Sequence, residues 1–380
     1  MKILFLSPEA VPFAKTGGLA DVAGSLPLAL KRLGADVRLV LPYYRLLREE
    51  NVESRPLIED LPVPLGKARL TCSIGEARTK EGIPVYLVAR EDLYDRPHLY
   101  GTAAGDYYDN LERFTFFARA ALRTAAELDF RPGLIHCHDW QTGLAPALLR
   151  GPDGKSSILR GTPVLFTIHN IGYQGIFPGE RFSVTGLSRE DFFRMEGLEF
   201  WGNISLLKAG IVYADALTTV SPTYAKEILT PEYGMGMEGI LATRRGALHG
   251  ILNGVDYSLW NPAGDARIPR NYTSEDLAGK RSCKEALIRE MGLDPRLDER
   301  PLLAMITRLN TQKGLDLILE VLDDILDLDT GLVFLGAGDE GIQDALREAA
   351  VARPGRVGLR VGFDEGLAHR IMAGADILLI

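Results

Sequence analysis

The sequence predicts an α/β protein with two Rossmann-like, doubly wound parallel-sheet domains, and three observations carry that expectation. Short apolar runs alternate with segments of helical spacing through most of the chain, the pattern of parallel strands joined by right-handed crossovers. Two of those runs, Lys2 to Ser7 and Leu302 to Thr307, each lead into a glycine-containing basic loop: Lys15-Thr16-Gly17-Gly18 after the first, Arg308 to Gly314 after the second. Between them, Asn253 to Pro269 holds Trp260-Asn261-Pro262, Gly264 and Pro269, a turn-rich stretch that interrupts the periodicity. The expected domains are 1–255 and 256–380, the second incomplete.

Composition sets the outer limits. A chain of 380 residues, 46% hydrophobic and 25% charged, is ordinary globular material and long enough for two cores. Its net charge of -8 argues against a general nucleic-acid or membrane surface, so an anionic ligand must be held by local cations. Three scattered cysteines, Cys72, Cys137 and Cys283, make neither a disulfide framework nor a cysteine metal site and fit a reducing cytoplasm. Met1 runs straight into a strand, with no basic leader and no apolar stretch of spanning length, so a cytoplasmic location is expected.

The elements follow in order. Leu19 to Leu33 has helical spacing and stops at Gly34; Asp36 to Leu41 is a second strand. Residues 52–90 change to short alternating runs, Arg69 to Ile74 and Pro84 to Val88 among them, and are expected to be an inserted patch of β-hairpins. Alternation resumes with a helix from about Tyr107 to Leu128, a strand Leu134 to His138, a helix from Trp140, a strand Val164 to His169, a helix Ile204 to Tyr213, a strand Ala216 to Val220 and a helix from Pro222. The second half repeats it: a helix to Gly292, the strand at 302–307, a helix from Gly314, strands Gly331 to Leu335 and Val357 to Val361, helices from Gly341 and over Glu365 to Gly374, and a strand Asp376 to Ile380. Because such a strand usually leads into a ligand-facing loop, the sequence is expected to be a fragment or truncated reading.

Candidate chemistry sits at strand ends. Lys15 to Gly18 joins a strand to a helix, and Gly17 and Gly18 let backbone approach a phosphate at a helix start; the bland alternative is a tight turn beside a solvated lysine. Arg308 and Lys313, five residues apart, are spaced to aim two cations at one diphosphate, against a reading as plain surface charges. Gly336-Ala337-Gly338-Asp339-Glu340-Gly341 matches a dinucleotide-loop spacing but follows the domain's second strand and carries two acids, so it reads as a close-packing turn. His136 and His138 share one strand face, yet core and loop-ordering roles suit them better than a metal. His169-Asn170 ends a strand and leads into Ile171-Gly172-Tyr173-Gln174-Gly175, a loop able to hydrogen-bond a polyol. Loop aromatics such as Tyr100, Trp140 and Trp201 offer faces for sugars but are weak clues singly.

As a set, Lys15-Thr16-Gly17-Gly18-Leu19-Ala20-Asp21-Val22, His138-Asp139-Trp140-Gln141, His169-Asn170 with Tyr173-Gln174-Gly175, Leu252-Asn253-Gly254-Val255-Asp256, and Arg308-Leu309 with Gln312-Lys313-Gly314 resemble the bacterial-type glycogen synthases and plant starch synthases. The resemblance implies the GT-B architecture, two domains facing a cleft, and transfer of an α-glucosyl unit from ADP-glucose to the non-reducing 4-hydroxyl of an α-1,4-glucan with retention. It implies no cofactor or metal, and as partners ADP-glucose and a glucan primer. It places His169, Arg308 and Lys313 at the reaction. Lys15, Gly17, Gly18, Asp21 and Asn253 fall at the donor with the two cations, and Asp139, Asn170 and Tyr173 at the acceptor or sugar. The family's acidic Glu-Pro-Cys-Gly-Leu-type loop falls after the strand that ends at Ile380; were these residues the complete product, weak donor binding and little turnover are expected. The alternatives are a related retaining transferase with another acceptor, and an inactive glucan- or nucleotide-binding module.

Overall fold

A computed structural model describes residues 1–102, 105–155 and 157–380. The chain divides into two compact units, Met1–Gly254 and Val255–Ile380.

In the first unit the described residues form a nine-stranded sheet around β1 (Lys2–Leu6). After helix α1 (Gly18–Arg32) the chain adds β2 (Asp36–Pro42) on one side of β1, then β3 (Arg55–Leu65), β4 (Ala68–Arg78) and β5 (Pro84–Ala89). It then crosses back through α2 (Asn110–Glu127) to β6 (Leu134–His138) on the other side of β1. Helix α3 (Leu144–Arg150) leads to β7 (Val164–Ile168). The chain then makes a small antiparallel sheet of β8 (Ile176–Pro178), β9 (Glu199–Phe200) and β10 (Asn203–Ser205), helix α4 (Leu206–Tyr213), and strands β11 (Ala216–Thr219) and β12 (Leu248–Gly250). The order is β12-β11-β7-β6-β1-β2-β5-β4-β3, parallel from β12 to β5. The winding therefore reverses between β1 and β6, and the carboxyl ends of those two strands mark the switch point where ligands gather in such sheets.

The core explains the order. β1 and β6 are buried along nearly their whole length, and Phe114, Phe116 and Phe117 of α2 are fully buried, as a sheet covered on both faces requires.

The expected hairpins over 52–90 are present, β3–β4 and β4–β5 being antiparallel pairs, but they are not a separate insertion. Val85 to Val88 is buried on both faces and pairs parallel with β2, so β5 is an interior strand of the main sheet and β4 and β3 continue it antiparallel. The glycine-rich turns marked the hairpins; the burial of β5 in the main sheet shows in its lack of a polar face. Pro56, Pro62 and Pro64 fall on β3, which among the described residues is an edge strand paired with β4, and an edge is where a strand tolerates prolines. The helix expected from Trp140 starts at Leu144, because Thr142 turns its hydroxyl back to the carbonyls of His138 and Asp139 (2.8 and 3.2 Å). The helix expected from Ile204 starts at Leu206, since Asn203–Ser205 pairs with two short strands and Ser205 Oγ then caps Lys208 N at 3.1 Å.

The second unit carries its own parallel sheet. Helix α5 (Ala278–Glu290) precedes β13 (Leu302–Ile306); α6 (Leu315–Glu320) and α7 (Leu322–Asp327) lead to β14 (Gly331–Gly336), α8 (Glu340–Ala352) to β15 (Val357–Val361), and α9 (Glu365–Gly374) to β16 (Ile377–Leu378). The order β15-β14-β13-β16 places this sheet's reversal beside β13. The single helix expected from Gly314 is two, meeting at Val321, and the expected strand 376–380 pairs only over Ile377–Leu378. No helix among the described residues is long and apolar enough to cross a membrane.

Candidate active site

Three loops of the first unit leave the carboxyl ends of adjacent strands β1, β6 and β7. The first, from Ser7 to Gly17, folds as a tight turn in which Ala10 O accepts from Phe13 N and Ala14 N, and Val11 N donates to Ala20 O of α1 at 3.0 Å. Lys15 Nζ donates to Asp21 Oδ1 at 2.7 Å, tying the loop to the first turn of α1. Among the described residues, a Cβ added at Gly17 or Gly18 would have nothing within 4 Å beyond its chain neighbours and its own helix, so packing does not demand glycine there.

Asp139 follows β6 in a left-handed conformation (φ 54°), which aims its carboxylate across to the end of β7. Its Oδ1 accepts the backbone N–H of His169 at 2.7 Å. Burial dominates its titration and pushes the carboxyl up to about 7, against the backbone amides of His169 and Asn170, while the nearby Glu9 charge raises it further. Asn170 Oδ1 accepts from Gly172 N at 2.9 Å and shapes the loop, which Gln174 anchors by donating to the Met235 carbonyl at 2.9 Å. Tyr173 stands 45% exposed on that loop.

Behind the loops lies a run of histidines. His136 Nε2 bonds Thr167 Oγ1, which bonds Thr218 Oγ1, both at 2.7 Å, so a polar thread crosses three strands of the sheet interior. His138 stacks on Phe5 with centroids 4.2 Å apart, and its Nδ1 lies 2.9 Å from His169 Nε2. Burial holds all three rings below their usual range: His136 at about 3, His169 at about 4, and His138 far down. Among the described residues no group of three His, Cys, Asp or Glu side chains could hold a metal ion.

The structure thus brings together Lys15 with Asp21, and Asp139 with His169 and Asn170. Glu9 and the Thr167–Thr218 thread are additions that sequence reasoning did not single out. An acid between the first strand and the glycine pair was the available signal for Glu9, and polar residues inside an otherwise apolar strand run were the signal for the threonines. A separate cavity of about 290 Å³, bounded by Leu61, Arg119, Arg123, Leu148 and Leu159, holds none of the candidate residues.

In the second unit, Arg308 and Lys313 follow β13 and are both exposed, Lys313 at the end of a single 3₁₀ turn (Thr311–Lys313) closed by Gly314 at φ 68°. The loop is held by the segment after β14: Leu309 N donates to Ala337 O at 3.0 Å, and Asp339 N to Leu309 O at 2.7 Å. A Cβ at Gly336 would stand 1.8 Å from Thr307 O and one at Gly338 2.3 Å from Leu309 O, so the glycine motif is a close-packing turn and Asp339 is spent capping α8. Asn253 is exposed at the end of the first unit.

Residues 2–243 match the family described as the starch synthase catalytic domain. The glycogen synthase of Syntrophotalea carbinolica is 44% identical over 380 residues, and that of an Anaeromyxobacter species 48% identical over 381; each alignment covers 100% of this chain and 78% of the relative. Among solved structures, the catalytic domain of starch synthase IV from Arabidopsis thaliana, bound to ADP and acarbose, is similar with a TM-score of 0.90 and 31% identity over 99% of this chain and 77% of that one. With a family match over residues 2–243, relatives aligned over all of the chain and a similar fold over 99% of it, the chain belongs to the family of the glycogen synthases and starch synthase catalytic domains.

Proposed function

We propose that the protein transfers an α-glucosyl unit from ADP-glucose to the non-reducing 4-hydroxyl of an α-1,4-glucan with retention, releasing ADP, in the cytoplasm. The observation that supports the site assignment is the Asp139–His169 bond beside the switch point, which joins the loops after β6 and β7 through a buried carboxylate. Lys15 follows β1, Asp139 follows β6, and Asn170 and Tyr173 follow β7, so the three loops leave neighbouring strands and in this reading face one ligand. Family kinship supplies the choice of donor and acceptor.

In this reading the positive charges of Arg308 and Lys313 stabilise the charge that grows on the departing diphosphate, a term that fixed cations supply without reorganising. Lys15, with Asp21 and the open backbone at Gly17 and Gly18, and Asn253 also serve the donor. His169 contacts the glucosyl ring as a neutral donor. His138 Nε2 is buried without a partner among the described residues, so the tautomer that costs least puts the His138 proton on Nδ1, facing His169 Nε2. His169 then keeps its own proton on Nδ1, where a sugar hydroxyl can accept it. Asp139, Asn170 and Tyr173 contact sugar or acceptor.

The test is incorporation of labelled glucose from ADP-glucose into glycogen by protein expressed from its complete reading frame. Label in the polymer is the expected result. Label confined to a small acceptor would replace the glucan with another acceptor, and glucan binding without any transfer would reduce the protein to a binding module.

A further inference from the structure

Glu9 is a buried carboxylate that the reaction above does not use. It is 4% exposed, and the hydrogen-bond donors that reach it among the described residues, Thr16 and Tyr100, are neutral. Oε2 accepts the Thr16 backbone N–H at 2.5 Å, both oxygens accept the Thr16 hydroxyl at 2.8 and 3.0 Å, Oε1 accepts the Tyr100 hydroxyl at 2.8 Å, and the Gly17 amide is also turned toward it. Burial is the largest influence on its titration and raises it despite these donors. A neutral isostere would be easier to bury, so the charge does not serve the fold's stability.

It serves the loop's shape instead. Tyr100 reaches Glu9 from 91 positions away in the chain, and Glu9 in turn grips the residue between Lys15 and the glycine pair. The loop is therefore clamped twice, from inside by Glu9 on Thr16 and from outside by Lys15 on Asp21. A hydrogen bond to an ionised acceptor is roughly twice as strong as one between neutral groups, and several on one carboxylate fix a backbone that carries two glycines and would otherwise sample many shapes. The grip also means that the Thr16 amide is spent on the protein itself. An incoming phosphate meets Gly18, the first turn of α1 and Lys15, and at Gly17 it meets open space rather than a free amide.

We propose that Glu9 is a positioning residue for glucosyl transfer, holding the Lys15–Gly18 loop in the shape the donor meets; this rests on the donor-site reading of Lys15 given above. Hydroxyls can reverse their bonds to suit an amide whereas the Thr16 N–H cannot, so Glu9→Gln keeps the bonded pattern and removes only the charge.

The experiment compares the parent protein with Glu9→Gln, Lys15→Ala and the double variant, reading kcat/KM for ADP-glucose, ADP affinity by calorimetry, and Tm. The expected result for Glu9→Gln is a loss of about tenfold in kcat/KM, the size expected when charge-assisted bonds become neutral ones, with Tm unchanged or higher. In the Lys15→Ala background the same substitution should cost much less, because the group it positions is gone. Tyr100→Phe, which removes one donor and leaves the loop sequence intact, should lower kcat/KM by about two- to threefold. Fully additive losses in the double variant, or a fall in Tm large enough to account for the lost activity, overturn the proposal and leave Glu9 a packing residue. Absence of transfer by the parent itself is read first and defeats the functional reading, and this inference with it.

Discussion

His138 Nδ1 and His169 Nε2 lie 2.9 Å apart, so two rings at the ends of neighbouring parallel strands share one hydrogen bond and neither is charged. A second proton on His169 Nε2 would face the His138 Nδ1–H, and one on His138 Nε2 would be buried without a partner among the described residues. The pair therefore presents a fixed, neutral donor, and its partner carboxylate Asp139 sets where the His169 backbone sits.

Loss of the His169 ring should act on the reaction more than on nucleotide binding. His169→Ala is expected to lower kcat by roughly 100-fold, within the range of one positioned donor, with ADP affinity changed little; equal losses in both would move His169 away from the glucosyl ring.

The two cations of the second unit should behave differently. Arg308→Ala and Lys313→Ala remove exposed side chains from a loop, so Tm should hold while each lowers turnover by at least about tenfold, the worth of a charge-assisted bond to a phosphate. Unchanged steady-state kinetics in both variants would remove the diphosphate assignment.

The buried titrating groups give opposite pH signatures. His136 falls from 6.5 to about 3 on folding, so the stability it contributes is present above pH 6.5 and is lost as pH drops toward 3. His136→Gln should therefore flatten the acid side of a stability–pH curve, by up to about 1.4 kcal/mol per pH unit inside that window. Asp139 rises from 3.8 to about 7, so its contribution is present below 3.8 and is lost as pH climbs to 7; Asp139→Asn should remove a decline on that side. Denaturant midpoints at half-unit steps check both, and parallel curves for variant and parent would contradict the burial argument.

Trp201 occupies a two-residue turn between β9 and β10 with φ 47°, followed by Gly202 at φ 78°, and is 77% exposed. Both turn positions need positive φ, which Asn-Gly adopts readily and tryptophan does not. Trp201→Asn should raise stability by about 0.5–1 kcal/mol in chemical denaturation, and a destabilised variant would mean that the indole's contact with Phe200, at 4.4 Å between centroids, outweighs the backbone strain.

Sequence alone determined the alternation of strands and helices, because buried parallel strands must be short apolar runs and their crossovers must carry one apolar stripe. It also singled out the strand ends proposed to carry chemistry, since Lys15, His169, Arg308 and Lys313 lie in or beside the segments that follow such runs. What it left open was set by partners distant in the chain. The assignment of Val85 to Val88 to the interior of the main sheet needed β2 beside it, and the place of Glu9 needed Tyr100. The reason the glycines at 336 and 338 pack rather than bind became visible only against the backbone of Thr307 and Leu309. Local pattern reports the period of burial; which buried polar atom meets which depends on strand order, and strand order is a property of the folded sheet.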